Sequence, residues 1–126
     1  MLDISKQVEH WRQSGEEDWT VAVHLVRAGR TRHGLFFIHL ALEKLLKALV
    51  CRQTRQPAPK IHSLVRLAEL AALQTTGDQR DVLAEMNAFH LEGRYPEMLM
   101  PEPTPAEAQA YVARAEEILQ WLTSRF

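Results

Sequence analysis

The sequence predicts an all-α fold, an up-and-down antiparallel bundle of four to five helices in a single domain over residues 1–126. Apolar residues recur at helical spacing, and no stretch alternates between apolar and polar residues as a strand does. The five Gly and six Pro residues are few and cluster where helices would end. Short connections between long helices favour antiparallel neighbours, which makes the bundle the simplest architecture.

The first predicted helix covers about residues 4–30. Ile4, Val8 and Trp11 recur at helical spacing, and the pattern resumes beyond Gly15. Gly15 is compatible with a kink or with a break between two helices. Gly29 and the basic residues around it mark the C-terminal end, where cations favour the helix dipole.

The second predicted helix, residues 33–54, is the most informative part of the sequence. Residues 35–50 are apolar on nearly every side, whereas an ordinary surface helix has one apolar stripe. The helix is therefore expected at the centre of the bundle or between two subunits. Four charged or titratable residues interrupt the apolar pattern, and they are His39, Glu43, Lys44 and Lys47. Each needs a specific role in such a position.

Two shorter helices are predicted next. His62 and Ser63 look like the N-terminal cap of a third helix over residues 64–71. A Gly-Asp pair separates it from a fourth helix over about residues 81–91.

The last predicted helix has the clearest start in the chain. Residues 94–103 cannot form regular helix because they contain three prolines. Thr104 can then cap, Pro105 takes the first helical position, and Glu107 completes a capping box.

Composition limits the classes of function. Fifteen Lys and Arg against sixteen Asp and Glu give a formal charge of -1, which argues against bulk nucleic-acid binding but leaves room for a local basic groove. The single cysteine, Cys51, excludes an intramolecular disulfide and a cysteine-based zinc site, and fits a reducing cytosol. No secretion signal or membrane-spanning run is visible. We expect a cytoplasmic protein with no membrane partner, no cofactor and no metal site.

His39, Glu43 and Lys47 form one ridge on the second helix, because residues four apart are rotated by only about 40°. In one interpretation this ridge is a self-satisfied polar strip on the rim of the bundle, where exposed pairs contribute about 0.3–0.5 kcal/mol. In the other, Lys44 and Lys47 face a phosphate or a partner. Lys44 lies further round the helix, on a different line.

Four motifs follow one another along the chain, and each alone would be weak. They are Trp19, Ala22 and Ala28 before a short turn, then Phe36-x-x-His39-x-Ala41-x-Glu43-Lys44-x-x-Lys47-Ala48-Leu49, then His62-Ser63-Leu64, and finally Arg94-Tyr95-Pro96. In combination they resemble the HEPN family, named for higher eukaryotes and prokaryotes and for proposed nucleotide binding. The similarity covers about residues 15–122.

The resemblance implies a compact helical bundle that commonly forms a homodimer. Small prokaryotic members are often encoded beside a minimal nucleotidyltransferase, and several such pairs behave as toxin and antitoxin. In those toxins the HEPN subunit is a metal-independent ribonuclease with an Arg-x(4–6)-His motif near the subunit interface. A nucleotidyltransferase subunit and a nucleotide or RNA are therefore the expected partners.

The nuclease motif of the family is not carried over to this sequence. Its place is near His90, but positions 83–85, where the arginine would stand, are Leu, Ala and Glu. Arg–His matches elsewhere are about as frequent as chance allows. His90 is a weak catalytic candidate, and a capping or packing role is favoured for it.

The leading hypothesis is a non-catalytic or weakly catalytic binding module in which Lys44, Lys47, His62 and Arg94 receive a nucleotide or RNA phosphate. His62 either organises the start of the third helix or faces the nucleotide. Arg94 either binds carbonyl groups at a helix end or presents its guanidinium fork to a phosphate. The alternatives are a metal-independent ribonuclease toxin and a plain protein-interaction bundle.

Overall fold

A computed structural model describes the backbone of residues 3–94 and 101–126, with side chains for residues 3–90 and 101–126. This part of the chain forms five helices and no strand, so the predicted all-α class is confirmed. The helices are α1 (Ile4–Arg27), α2 (Thr31–Thr54), α3 (Leu64–Leu70), α4 (Gly77–Arg94) and α5 (Pro105–Thr123). None of the helices described is long and apolar enough to cross a membrane.

Helix α2 lies at the centre of the bundle, as its apolar pattern predicts. Fifteen of its 24 residues are buried, and it contacts each of the other four helices. Leu35, Ile38, Leu42 and Leu45 are among the largest side chains with no exposed surface. A helix that is apolar on nearly every side can satisfy all of its faces only in such a position.

Helices α1 and α2 form a closely packed antiparallel hairpin. The hairpin turns at Gly29, whose φ of 81° is left-handed. The N–H of Gly29 donates to the Val26 carbonyl at 3.0 Å, and that of Arg30 to the Leu25 carbonyl at 2.9 Å. This Schellman motif ends α1 at Arg27, three residues before the predicted end.

Gly15 does not break the first helix in two, because α1 runs through it without interruption. A Cβ atom at Gly15 would lie 3.0 Å from the carbonyl oxygen of Ala41 in α2. At Gly34 a Cβ would lie 2.5 Å from Val26 Cγ2 and 3.0 Å from the Val26 nitrogen. Both glycines therefore allow the two helix backbones to approach each other closely.

Two predicted helix starts are confirmed by their caps. The Ser63 hydroxyl accepts from the Arg66 N–H at 3.3 Å at the start of α3. At the start of α5, Thr104 and Glu107 form both hydrogen bonds of the capping box.

The predicted start of α4 near residue 81 is wrong, since the helix begins at Gly77. The reason is a second capping box. The Gln79 N–H donates to the Thr76 hydroxyl at 3.1 Å, and the Thr76 N–H donates to Gln79 Oε1 at 2.9 Å. The Thr-x-x-Gln spacing of this cap is a local helix-start signal, and here it outweighs the tendency of the neighbouring Gly-Asp pair to form a turn.

Candidate functional site

The polar ridge of α2 lies inside the bundle and not on its rim. His39 is 0% exposed, Glu43 4% and Lys47 6%. The rim placement expected in one interpretation is therefore wrong, because the ridge is covered by the His62 carbonyl, the His90 ring and the Trp11 ring. Buried polar groups cost free energy unless they are paired, so the partners of these three side chains define the site.

Glu43 is the centre of the site and joins three other side chains. Its Oε2 lies 3.1 Å from Lys47 Nζ. The Nδ1 atom of His62 lies 3.1 Å from Oε1 and 3.2 Å from Oε2. His39 Nδ1 lies 3.6 Å from Oε1. A buried carboxylate with this many close polar partners is held in one orientation.

His39 is held as a neutral imidazole. Its Nε2 donates to the backbone carbonyl of His62 at 3.1 Å. Burial lowers the pKa of His39 to about 4, and it outweighs the nearby Glu43 carboxylate, which acts in the opposite direction. The lone pair of the neutral ring is therefore on Nδ1, a buried atom with no hydrogen-bond partner.

His62 brings a half-exposed imidazole to the edge of the site. The residue immediately precedes the Ser63 cap of α3, and its side chain is 52% exposed. Helix α4 holds this segment in place, because the Leu64 N–H donates to Asn87 Oδ1 at 2.8 Å. With Nδ1 directed to Glu43, the other ring nitrogen is left for a ligand or a proton.

His90 packs over the same site from α4. Its ring is stacked on that of His62, with centroids 4.5 Å apart and planes at 18°. The centroid of the His39 ring is 5.0 Å away, and that of Phe36 is 5.9 Å away. The structure therefore places three imidazoles together, although they are far apart in the sequence.

The first helix closes the site on the side of Lys47. The Lys47 ammonium lies 5.4 Å from the centroid of the Trp11 ring, within the range of a cation–π interaction. Lys47 is therefore both paired with Glu43 and covered by an aromatic side chain.

Lys44 is placed apart from the other predicted phosphate ligands. Its Nζ lies 2.7 Å from Asp18 Oδ2 and donates to the Ser14 hydroxyl at 2.9 Å. These contacts join α2 to α1. Lys47 and His62 meet at Glu43, whereas Lys44 does not reach it.

Arg94 is the last residue of α4, and its side chain lies outside the described residues, as do Tyr95 and Pro96 entirely. The predicted roles of the Arg-Tyr-Pro motif therefore stay predictions.

Sequence reasoning singled out His39 and Glu43 as polar residues on the most apolar helix, but it did not include them among the candidate ligands. In the structure they form the base of the candidate site. His39, Glu43 and His90 each offer one ligand atom, and these atoms lie within 4.8 Å of one another. The arrangement can hold a cation at this point, and the exposed ring of His62 can exchange a proton or contact an anion.

These features define a five-helix bundle protein with a polar site between α2, α4 and the segment before α3. The chain belongs to the HEPN family, because the HEPN domain model matches residues 8–125. None of the curated proteins compared with the chain matches it.

Two solved structures have the same fold. The crystal structure of TT1696 from Thermus thermophilus has a TM-score of 0.79 and 21% identity, over 95% of this chain and 98% of that one. The structure of ST0689, an archaeal HEPN homologue, has a TM-score of 0.75 and 22% identity, over 94% of this chain and 96% of that one. At these identities the similarity establishes the fold alone.

Proposed function

We propose that this HEPN protein is a binding module that receives a phosphate group of a nucleotide or an RNA at His62. One observation carries the proposal, namely that a half-exposed imidazole is held through Nδ1 by a buried carboxylate. When the ring is protonated, its free N–H can donate a charge-assisted hydrogen bond to a phosphate oxygen. Lys47, 3.1 Å from Glu43, balances the carboxylate charge that would otherwise repel an anion.

The proposed phosphate ligands are Lys47, His62 and Arg94. Whether Lys44 also binds the phosphate is tested separately. Lys47 acts mainly through its charge, because its side chain is only 8% exposed. Arg94 follows His90 by one helical turn on α4, which brings its backbone to the same end of the helix. Lys44 is included in the test because its contacts with Asp18 and Ser14 favour a structural role.

The proposed partners follow from membership of the HEPN family. We propose a cytoplasmic homodimer that works with a minimal nucleotidyltransferase subunit, in a two-gene system of the toxin–antitoxin kind. Affinity purification of the tagged chain from its native host, followed by mass spectrometry, is expected to recover that subunit. Light scattering is expected to give twice the chain mass. Recovery of unrelated proteins and a monomer mass would favour the interaction bundle.

Binding can be tested by fluorescence anisotropy in buffer that contains EDTA. The probes are a fluorescent ATP analogue and a short labelled single-stranded RNA. His62→Asn should weaken binding by about 10- to 100-fold, the value of one hydrogen bond to a charged group, about 1.5–3 kcal/mol. His33→Asn is the matched control, because His33 is also exposed but lies ten residues, about 15 Å along α2, before Glu43. It should bind as the wild type does.

Two results would count against the phosphate site. One is wild-type protein that binds neither probe, and the other is equal binding by the two histidine variants. Lys44→Met in the same titration tests whether Lys44 is a phosphate ligand. Unchanged affinity would leave Lys44 a structural residue, and a loss as large as that of His62→Asn would place it in the site.

A metal-independent ribonuclease is the second candidate, and the contact between Glu43 and His62 favours it. A carboxylate that fixes one imidazole nitrogen leaves the other suited to general acid–base work. His90, stacked on His62, remains the weaker candidate for this role. Cleavage of the labelled RNA in EDTA that His62→Asn abolishes and His33→Asn preserves would support an enzyme. Intact RNA and normal growth on strong expression would support the binding module.

A further inference from the structure

The structure brings two imidazoles and one carboxylate to a single point. His39 and Glu43 are one turn apart on α2, and His90 comes from α4. One ligand atom from each lies within 4.8 Å of the others. We propose that His39, Glu43 and His90 bind a divalent transition-metal ion such as Zn²⁺. The proposal goes beyond the phosphate site and does not depend on it.

The environment of His39 suits a metal ligand. A carbonyl can only accept, so the contact of Nε2 with the His62 carbonyl at 3.1 Å makes Nε2 the donor. The neutral ring then directs a lone pair from Nδ1 toward Glu43 Oε1, 3.6 Å away. Two acceptor atoms face each other there, and Nδ1 is buried without a hydrogen-bond partner. A metal ion between them would give His39 Nδ1 the partner that it lacks.

The distance between these two atoms fits a tetrahedral zinc site. Zinc–nitrogen and zinc–oxygen bonds of about 2.0–2.2 Å put neighbouring ligand atoms about 3.3–3.6 Å apart. The observed 3.6 Å between His39 Nδ1 and Glu43 Oε1 lies at the upper end of this range. A backbone carbonyl on the other nitrogen of His39 is also the usual outer partner of a metal-binding histidine.

Glu43 can use Oε1 for the metal because Oε2 has its own partners. Lys47 Nζ lies 3.1 Å from Oε2. His62 Nδ1 lies 3.1 Å from Oε1 and 3.2 Å from Oε2, so its N–H can stay with Oε2 when Oε1 binds the metal. These contacts would keep the carboxylate oriented while Oε1 coordinates. A fixed second partner such as His62 raises the affinity of a metal site, whereas the positive charge of Lys47 lowers it for a cation.

His90 supplies the third ligand from the side that is open to solvent. It is partly buried, and its ring is stacked on His62, whose side chain is 52% exposed. The entry path for an ion is therefore on this side. Two histidines and one glutamate form a three-residue zinc set with a fourth position free for water or another ligand. Imidazole ligands favour Zn²⁺ over Mg²⁺, which prefers oxygen.

The test is calorimetric titration of the full chain, first freed of metal with EDTA. Zinc should bind with a stoichiometry of one ion per chain, and Mg²⁺ at the same concentration should not bind. His90→Ala should weaken zinc binding by at least about tenfold. Loss of a residue that only holds a ligand in place usually costs that much, and loss of a ligand itself should cost no less. His33→Ala removes an exposed imidazole elsewhere and should leave the zinc affinity unchanged. Circular dichroism checks that each variant is folded.

Lys47→Met separates this proposal from the phosphate site. Removing a positive charge beside Glu43 should tighten zinc binding, whereas it should weaken the binding of the nucleotide probe in EDTA. The metal proposal is overturned if the wild type binds no stoichiometric zinc, or if His90→Ala binds zinc as tightly as His33→Ala does. The nucleotide titration contains no metal, so neither result bears on the phosphate site.

Discussion

Lys47 and His39 are two buried polar side chains on one face of α2, and they have different partners. Lys47 lies 3.1 Å from the Glu43 carboxylate and is covered by the Trp11 ring. His39 has a backbone carbonyl as its hydrogen-bond partner, and its pKa is lowered to about 4 because burial dominates. The four-residue spacing predicted the pair of Glu43 and Lys47. The burial could not be predicted, because it depends on the helices that cover α2.

Cys51 provides a prediction at the residue scale. It is the only cysteine, it is buried, and burial raises the pKa of its thiol. The thiolate is the nucleophile, so alkylation by iodoacetamide at neutral pH should be about 100-fold slower in the native chain than in urea. The rate for the native chain should also keep rising with pH beyond the range where the unfolded rate levels off. Mass spectrometry of timed samples measures both rates.

Equal alkylation rates with and without urea would contradict this prediction. They would mean that the C-terminal half of α2 opens easily, which its position in the core does not allow.

At the scale of the elements, the hairpin of α1 and α2 depends on close contact between two helix backbones. Gly15 and Gly34 lie where a side chain would meet the other helix. The sequence predicted both helices, but it could not show that these glycines serve packing. A glycine within a helix has the same local pattern whether it marks a break, a kink or a close approach.

Gly34→Ala should destabilise the protein by about 1–2 kcal/mol. The added methyl group would lie 3.0 Å from the Val26 nitrogen, and overpacking of this kind usually costs more than the gain in helix propensity of about 1 kcal/mol. Gly77→Ala is the matched control, since nothing lies within 4 Å of a Cβ there. It should be neutral or slightly stabilising. Urea denaturation gives both free energies, and a stabilised Gly34→Ala would refute the close approach.

At the scale of the whole molecule, we expect α2 to make the bundle one folding unit. It contacts all four other helices, so no described helix can lose its packing on α2 without exposing the shared core. Trp19 of α1 and Trp121 of α5 pack against that core from different helices. Tryptophan fluorescence therefore reports on the periphery, while circular dichroism reports on all helices.

Unfolding in urea should give coincident transitions by fluorescence and circular dichroism. Leu42→Ala, in the centre of α2 and 0% exposed, should lower the free energy of unfolding by about 2–5 kcal/mol and shift both signals together. Val21→Ala, at a side chain 42% exposed, should change it by less than about 0.5 kcal/mol. Separate transitions for the two signals would show that the outer helices unfold independently.

The sequence by itself determined the features that depend on near neighbours in the chain. The caps at Ser63 and Thr104 are hydrogen bonds between residues three apart. The apolar residues on nearly every side of α2 predicted its burial, either at the centre of the bundle or between two subunits. These interactions are local, so residue type and spacing are enough to predict them.

Only the tertiary structure decided which polar residues share a site. His62 reaches Glu43 across 19 residues, and Lys44 reaches Ser14 across 30. Such contacts depend on how α3, α4 and α1 pack on α2, which helical spacing does not contain. For this reason the structure separates Lys44 from Lys47, although they are only three residues apart in the sequence. It also brings together three histidines that are distant in the sequence, His39, His62 and His90.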